Sequence, residues 1–191
     1  MTLQITQDAM ADEVLSTNAF ALLCGMLLDQ QFPMERAFAG PAKILDRFGT
    51  LEPAAIACAP PDEFTAVCAQ PPAVHRFPTS MAARLQNLAQ VVVDSYGGSA
   101  ETLWRTATDG QELLGRVMTL PGFGRQKAQI FVALLGKQLH VCPPGWQQAA
   151  GPYAAEGAFR SVADVRDPAS LERVRAFKKQ QKTRVASQPG S

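Results

Sequence analysis

The stretch Leu120-Pro121-Gly122-Phe123-Gly124-Arg125-Gln126-Lys127-Ala128 holds the residues whose spacing speaks most directly of chemistry. Two glycines around one aromatic residue allow a tight turn with little side-chain bulk, so a partner can come close to the backbone. The apolar run from Ile130 to Leu135 predicts a helix beginning near Arg125. The free amides at such a helix start form an anion site, and with Arg125 and Lys127 alongside, a nucleic-acid phosphate is the anion that suits it. The plainer alternative is that Gly-Phe-Gly only joins two packed helices. A second polar cluster, Asp29-Gln30-Gln31, follows abruptly on the apolar run Ala19 to Leu28.

The elements that must carry these residues read as helices. Periodicity of the helical kind dominates, and no series of alternating strands is evident. Thr17 to Asp29 is apolar on nearly every face and predicts a helix buried in the middle of the molecule. Phe32-Pro33 breaks the chain before an amphipathic helix over Met34 to Phe48, with Phe38, Ile44, Leu45 and Phe48 inward and Gly49 as its stop. Short helices follow near Pro53 and over Asp62 to Ala69. Met81, Leu85, Leu88 and Val92 mark the clearest amphipathic helix, Thr79 to Tyr96, stopped by Gly97-Gly98. Ser99 to Thr106 and Gln111 to Met118 read as two more short helices, separated by Asp109-Gly110. Asp167-Pro168 opens a last helix with Leu171, Val174 and Phe177 inward. From Lys178 to Ser191 the composition predicts a flexible basic tail, leaving 1–177 as a single domain.

Composition narrows the function classes. A chain of 191 residues, 47% hydrophobic and 18% charged, can bury a core without a metal or disulfide staple. With 18 Lys and Arg against 17 Asp and Glu, it is not a uniformly basic nucleic-acid coat, so any DNA contact must be local. Cys24, Cys58, Cys68 and Cys142 form no CxxC pair, and His75 and His140 complete no ligand set, so neither a zinc site nor an iron–sulfur cluster is expected. No signal-like start and no apolar run of membrane-spanning length is present, which predicts a cytoplasmic protein with no membrane partner. It is expected to be a monomer.

Leu-Pro-Gly-apolar-Gly, then a basic residue, then Ala and an apolar helix, resembles the helix-hairpin-helix of the endonuclease III-like DNA glycosylases, the HhH-GPD superfamily. Leu27-Leu28-Asp29-Gln30-Gln31 is similar to the leucine-rich segment with which these proteins insert a polar residue into the duplex. The resemblance covers about residues 15 to 150 and implies an all-α, two-lobed fold with a cleft. It further implies double-stranded, damaged DNA as the partner. Leu120, Gly122, Phe123, Gly124, Arg125 and Lys127 would grip phosphate, while Gln31, with Gln30 nearby, would fill the space of a flipped base.

Two departures bear on the reaction. Members that form a Schiff base carry a Lys where this chain has Gln126, so hydrolysis without a lyase step is expected. Lys127, one residue along, is turned about 100° from that position and is assigned to phosphate. The family's Asp after the hairpin helix falls here on Pro143 or Pro144, which can supply no carboxylate. Asp29 is the first substitute for it, the alternative being a helix-end Asp bonded to nearby backbone. His140 and Trp146 are expected to line the base pocket, although Trp146 also reads as a core residue. The reading is therefore a base excision repair protein similar to monofunctional glycosylases, or a helix-hairpin-helix protein that binds lesions or scaffolds repair without chemistry.

Overall fold

The computed structural model describes residues 2–186, and among them the architecture is all-helical, with no strand. Asn18 sets the first corner. Its backbone N–H caps α1 (Ala9–Thr17) at Val14, and its side chain accepts from Ala21 N–H at 3.0 Å to start α2 (Ala19–Leu28). One residue thus ends one helix and begins the next, satisfying orphan groups of both. The helix expected over Thr17 to Asp29 is α2, and α1 precedes it without having been expected.

Residues Phe20 to Leu28 of α2 are all buried, which is why the segment has no polar face. Around it pack α3 (Met34–Phe38) and α4 (Gly40–Phe48), then α7 (Pro78–Tyr96) and α8 (Ala100–Arg105). Pro41 near the start of α4 splits the expected Met34 to Phe48 helix at Ala39. The break re-phases the second half: Ile44 is buried while Leu45, expected inward, is exposed. The short helices α5 (Pro53–Cys58) and α6 (Pro61–Ala69) lie against α7, whose Met81, Leu85, Leu88 and Val92 are buried as their spacing predicted.

The second group of helices begins with α9 (Gly110–Met118), followed by the hairpin and α10 (Arg125–Leu139). Next come α11 (Trp146–Ala150), a short 3-10 turn at Gly151–Tyr153, and a second at Val162–Asp164. This stretch is fastened to α10 from inside. Lys137 Nζ lies 2.6 Å from Asp164 Oδ1 with both side chains buried, and Gln138 Nε2 donates to the carbonyls of Val162, Ala163 and Val165. Both groups share one hydrophobic cluster.

The last helix, α12 (Pro168–Ala186), buries Leu171 and Val174 as expected but does not stop at Phe177. It continues as helix to Ala186 through the segment expected to be a flexible tail, and ion pairs from Arg175 and Lys178 fasten its middle to Glu35 and Asp29. Met1, residues 187–191, and the side chains of Lys182, Arg184, Val185 and Ala186 lie outside the described residues.

Candidate nucleic-acid interface and cleft

Where α2 ends, the chain turns sharply. Asp29 caps the helix with φ −74° and ψ 68°, and Gln31 takes a left-handed φ of 52°, a conformation found sparingly outside glycine and often at functional sites. Buried His75 holds this turn. Its Nδ1 accepts from Phe77 N–H at 3.1 Å, so Nε2 carries the proton and donates to the Gln30 carbonyl at 3.0 Å. Phe32 packs on the His75 ring at 4.7 Å between centroids. Burial is the largest influence on His75 and lowers its pKa, with Arg76, Arg84 and Lys127 acting in the same direction against the Gln30 carbonyl.

The two glutamines divide the work. Gln30 Nε2 donates to Leu27 O at 2.7 Å, and its Oε1 accepts from Arg84 Nη1 at 2.8 Å. Each end of its amide makes one bond that shapes the turn, so Gln30 helps to position Gln31. Gln31 is exposed and lines the cleft.

In the hairpin, Phe123 N–H donates to Leu120 O at 3.1 Å, and both side chains are buried. Phe123 meets Phe131 edge-on at 6.2 Å, plugging the turn from the core side. Gly122 has φ 82°, and a Cβ there would come within 2.7 Å of Leu27 Cδ1. Gly124 differs from Gly122. Its φ of −70° is open to any residue and a Cβ would meet nothing within 4 Å. The protein's own packing therefore gives no reason for glycine at 124, and the space in front of it is open to a partner. Arg125 is exposed beside it.

Lys127 does not point outward with Arg125. Its Nζ turns to the end of α2 and donates to Met26 O at 2.6 Å and Leu27 O at 3.3 Å. The last carbonyls of a helix lack intrahelical partners and carry partial negative charge, and a half-buried ammonium satisfies both needs. Burial holds the Lys127 pKa down to about 8; Asp29 opposes the shift, while Lys178 and Arg84 add to it. Gln126 donates instead to the Tyr153 hydroxyl at 2.8 Å.

A cleft of about 860 Å³ lies where these pieces meet. Asp29, Gln31, Gln126 and Lys127 line it together with Phe32, Glu35 and Tyr153, and α12 forms the far wall through Arg175, Phe177, Lys178 and Lys179. Lys178 Nζ stands 3.4 Å from Asp29 Oδ2, and Arg175 Nη2 is 2.6 Å from Glu35 Oε1. Asp29 is thus a cleft carboxylate facing a cation, not one bonded to nearby backbone. Sequence reasoning missed Tyr153, Arg84 and the α12 cations; the basic cluster at Lys178-Lys179 was visible but carried no sign of what it faces.

Other expected residues are not brought to the cleft. His140 caps the far end of α10, exposed, with φ 55°, and the helix separates it from Arg125 by roughly 20 Å at 1.5 Å per residue. Trp146 lies against Gly136 and Gly110, whose missing Cβ atoms leave room for its ring and backbone, so it is a packing residue. Pro143 and Pro144 belong to the same corner, where Gly110 N–H donates to Pro144 O at 2.8 Å. Neither His140 nor Trp146, expected at the base pocket, lines the cleft. Among the described residues no three His, Cys, Asp or Glu side chains converge as a metal site would require, and no single helix is long and apolar enough to cross a membrane.

The family described as HhH-GPD superfamily base excision DNA repair protein has a sequence model that matches residues 24–188. Neither the curated proteins nor the solved structures yield a significant match.

Proposed function

The chain belongs to the HhH-GPD superfamily of base excision DNA repair proteins, and from that premise we propose that it hydrolyses the bond between a damaged base and its sugar in duplex DNA. The observation that carries this reading is the single cleft that gathers Asp29, Gln31, Gln126 and Lys127 beside an exposed hairpin. Gly124 and Arg125 take a phosphate at the start of α10, where backbone amides are free. Gln31, exposed on its left-handed turn, enters the stack and bonds the orphaned partner base.

Asp29 is the catalytic carboxylate. It stabilises the positive charge that develops on the sugar and accepts a proton from the attacking water. Gln126 cannot attack the sugar, and Lys127 is held by two N–H bonds to the α2 carbonyls rather than placed as a nucleophile, so hydrolysis proceeds without a covalent adduct. Exposed Phe77, with Arg76 stacked over its ring at 4.6 Å, sits behind the Gln30 turn and offers a second contact to the duplex.

The test incubates the protein with duplexes carrying uracil, oxidised or alkylated bases and measures abasic sites. Asp29→Asn is expected to lower release by about a hundredfold or more. Borohydride is expected to trap no protein–DNA adduct. Unchanged turnover in Asp29→Asn removes its role, and a trapped adduct removes the hydrolytic mechanism. The Lys178 contact to Asp29 favours one other reading, a lesion-binding protein without chemistry; lesion-selective binding with no abasic product from any duplex would establish it.

A further inference from the structure

The charges of the cleft say more than where a base would sit. Its lining carries five cationic side chains and only two carboxylates. Both carboxylates are already engaged: Glu35 with Arg175 and Asp29 with Lys178. Lys127, Arg160 and Lys179 are left with no ion-pair partner among the described residues. Two N–H bonds of Lys127 go to α2 carbonyls, and the third has no partner among the described residues.

Bringing a further positive charge into such a cleft is repulsive and meets no unpaired anion, whereas negative charge arising there is stabilised. We propose that the cleft selects neutral damaged bases, which leave as anions, and rejects purines that alkylation has made cationic, with Lys127 meeting the departing anion. This inference rests on the glycosylase reading above and names the substrate class of the same site.

The step balances as follows. The C1′–N bond breaks and its electron pair leaves with the base nitrogen. Water oxygen bonds C1′ and gives one proton to Asp29, while the base nitrogen takes one proton from the Lys127 ammonium. Transfer of the Asp29 proton to Lys127 through solvent restores both groups. A purine already carrying a fixed charge needs no such proton and gains nothing from Lys127. The depressed Lys127 pKa, about 8, suits a group that gives up its proton near neutral pH.

The experiment measures binding of the full chain to duplexes that resist cleavage, carrying 2′-fluoro nucleotides with hypoxanthine or uracil (neutral) or 7-methylguanine (cationic). The neutral lesions are expected to bind at least tenfold more tightly than the cationic one. Lys179→Glu, at an exposed position that leaves folding intact, is expected to narrow that ratio. Equal binding, or tighter binding of 7-methylguanine, overturns this inference and leaves the glycosylase reading standing. Failure of every lesion to bind above an undamaged duplex overturns both. On cleavable duplexes, release of a neutral base is expected to fall as pH rises through about 8 in the wild type and to lose that limb in Lys127→Gln. The same limb in both proteins removes Lys127 as the proton donor.

Discussion

Lys127 Nζ lies 2.6 Å from the carbonyl oxygen of Met26, a bond between residues 101 positions apart in the chain. It ties the helix that follows the hairpin to the end of the buried α2, the two elements that present the expected DNA contacts. Position in the cleft and stability of the fold therefore depend on one side chain.

Removing that ammonium has two readable effects. Lys127→Met is expected to cost about 1–3 kcal/mol, because it strands helix-end carbonyls, and urea denaturation at pH 7 measures it. The pH dependence has a fixed sign. In the fold the Lys127 pKa is about 8, against 10.5 for the unperturbed group, so between those values the unfolded chain binds more protons. Wild-type stability relative to Lys127→Met should then rise with pH from about 8 to about 10.5 and be flat below 8. A difference that falls over this window would contradict the burial of the ammonium.

His75 gives a complementary acid-side effect. Its folded pKa lies below the unfolded 6.5, so the unfolded chain takes up protons first as the solution is acidified. Stability attributable to neutral His75 is fully present above 6.5 and is lost as pH falls from there toward the lower folded value. Thermal unfolding of wild type and His75→Gln between pH 7.5 and 5 should show a steeper loss in the wild type; parallel curves would count against a buried neutral imidazole.

The two hairpin glycines should separate folding from binding. Gly122→Ala forces a side chain into a positive φ and against Leu27, which is expected to cost about 1–3 kcal/mol. Gly124→Ala should fold within about 0.5 kcal/mol of wild type yet weaken DNA binding, because the space it fills is on the outside. Arg125→Ala should reduce the salt slope of binding by about one. If Gly124→Ala binds undamaged duplex as wild type does, the hairpin does not approach phosphate at that point.

Lys137→Met tests the inner fastening of the segment that follows α10. It leaves Asp164 buried without its cation, a loss expected to reach about 3–5 kcal/mol by chemical denaturation. A cost below about 1 kcal/mol would show that Asp164 is satisfied by its backbone bonds to Arg160 and Ser161 alone.

The parts of this molecule legible in the sequence are those whose signal is local. The α7 stripe from Met81 to Val92 repeats at helical spacing, and the hairpin declares itself by glycine placement and an apolar run. Orientation was less legible. A rotation of 100° per residue predicts that Gln126 and Lys127 point differently, but not which of them reaches the base of the cleft, because that depends on the carbonyls of α2, far away in sequence. The bonds of Gln30 to Arg84 and Leu27 have no local sequence signal either, because Arg84 lies 54 positions away. The α12 extension was hidden for the same reason: a lysine-rich segment reads as solvated unless the carboxylate that Lys178 meets, Asp29, is known.

The pairing of Lys178 with Asp29 joins residues separated by 149 positions, the earlier at the end of the second helix and the later in the last. The Asp29 turn and the hairpin are supplied by α2 and α10, whereas the far wall of the cleft is supplied by α12. Without α12 in place, Asp29 would lack its only ion-pair partner among the described residues and the cleft would keep Lys127 but lose Arg175, Lys178 and Lys179, so the electrostatic character of the site is set by how firmly one helix docks.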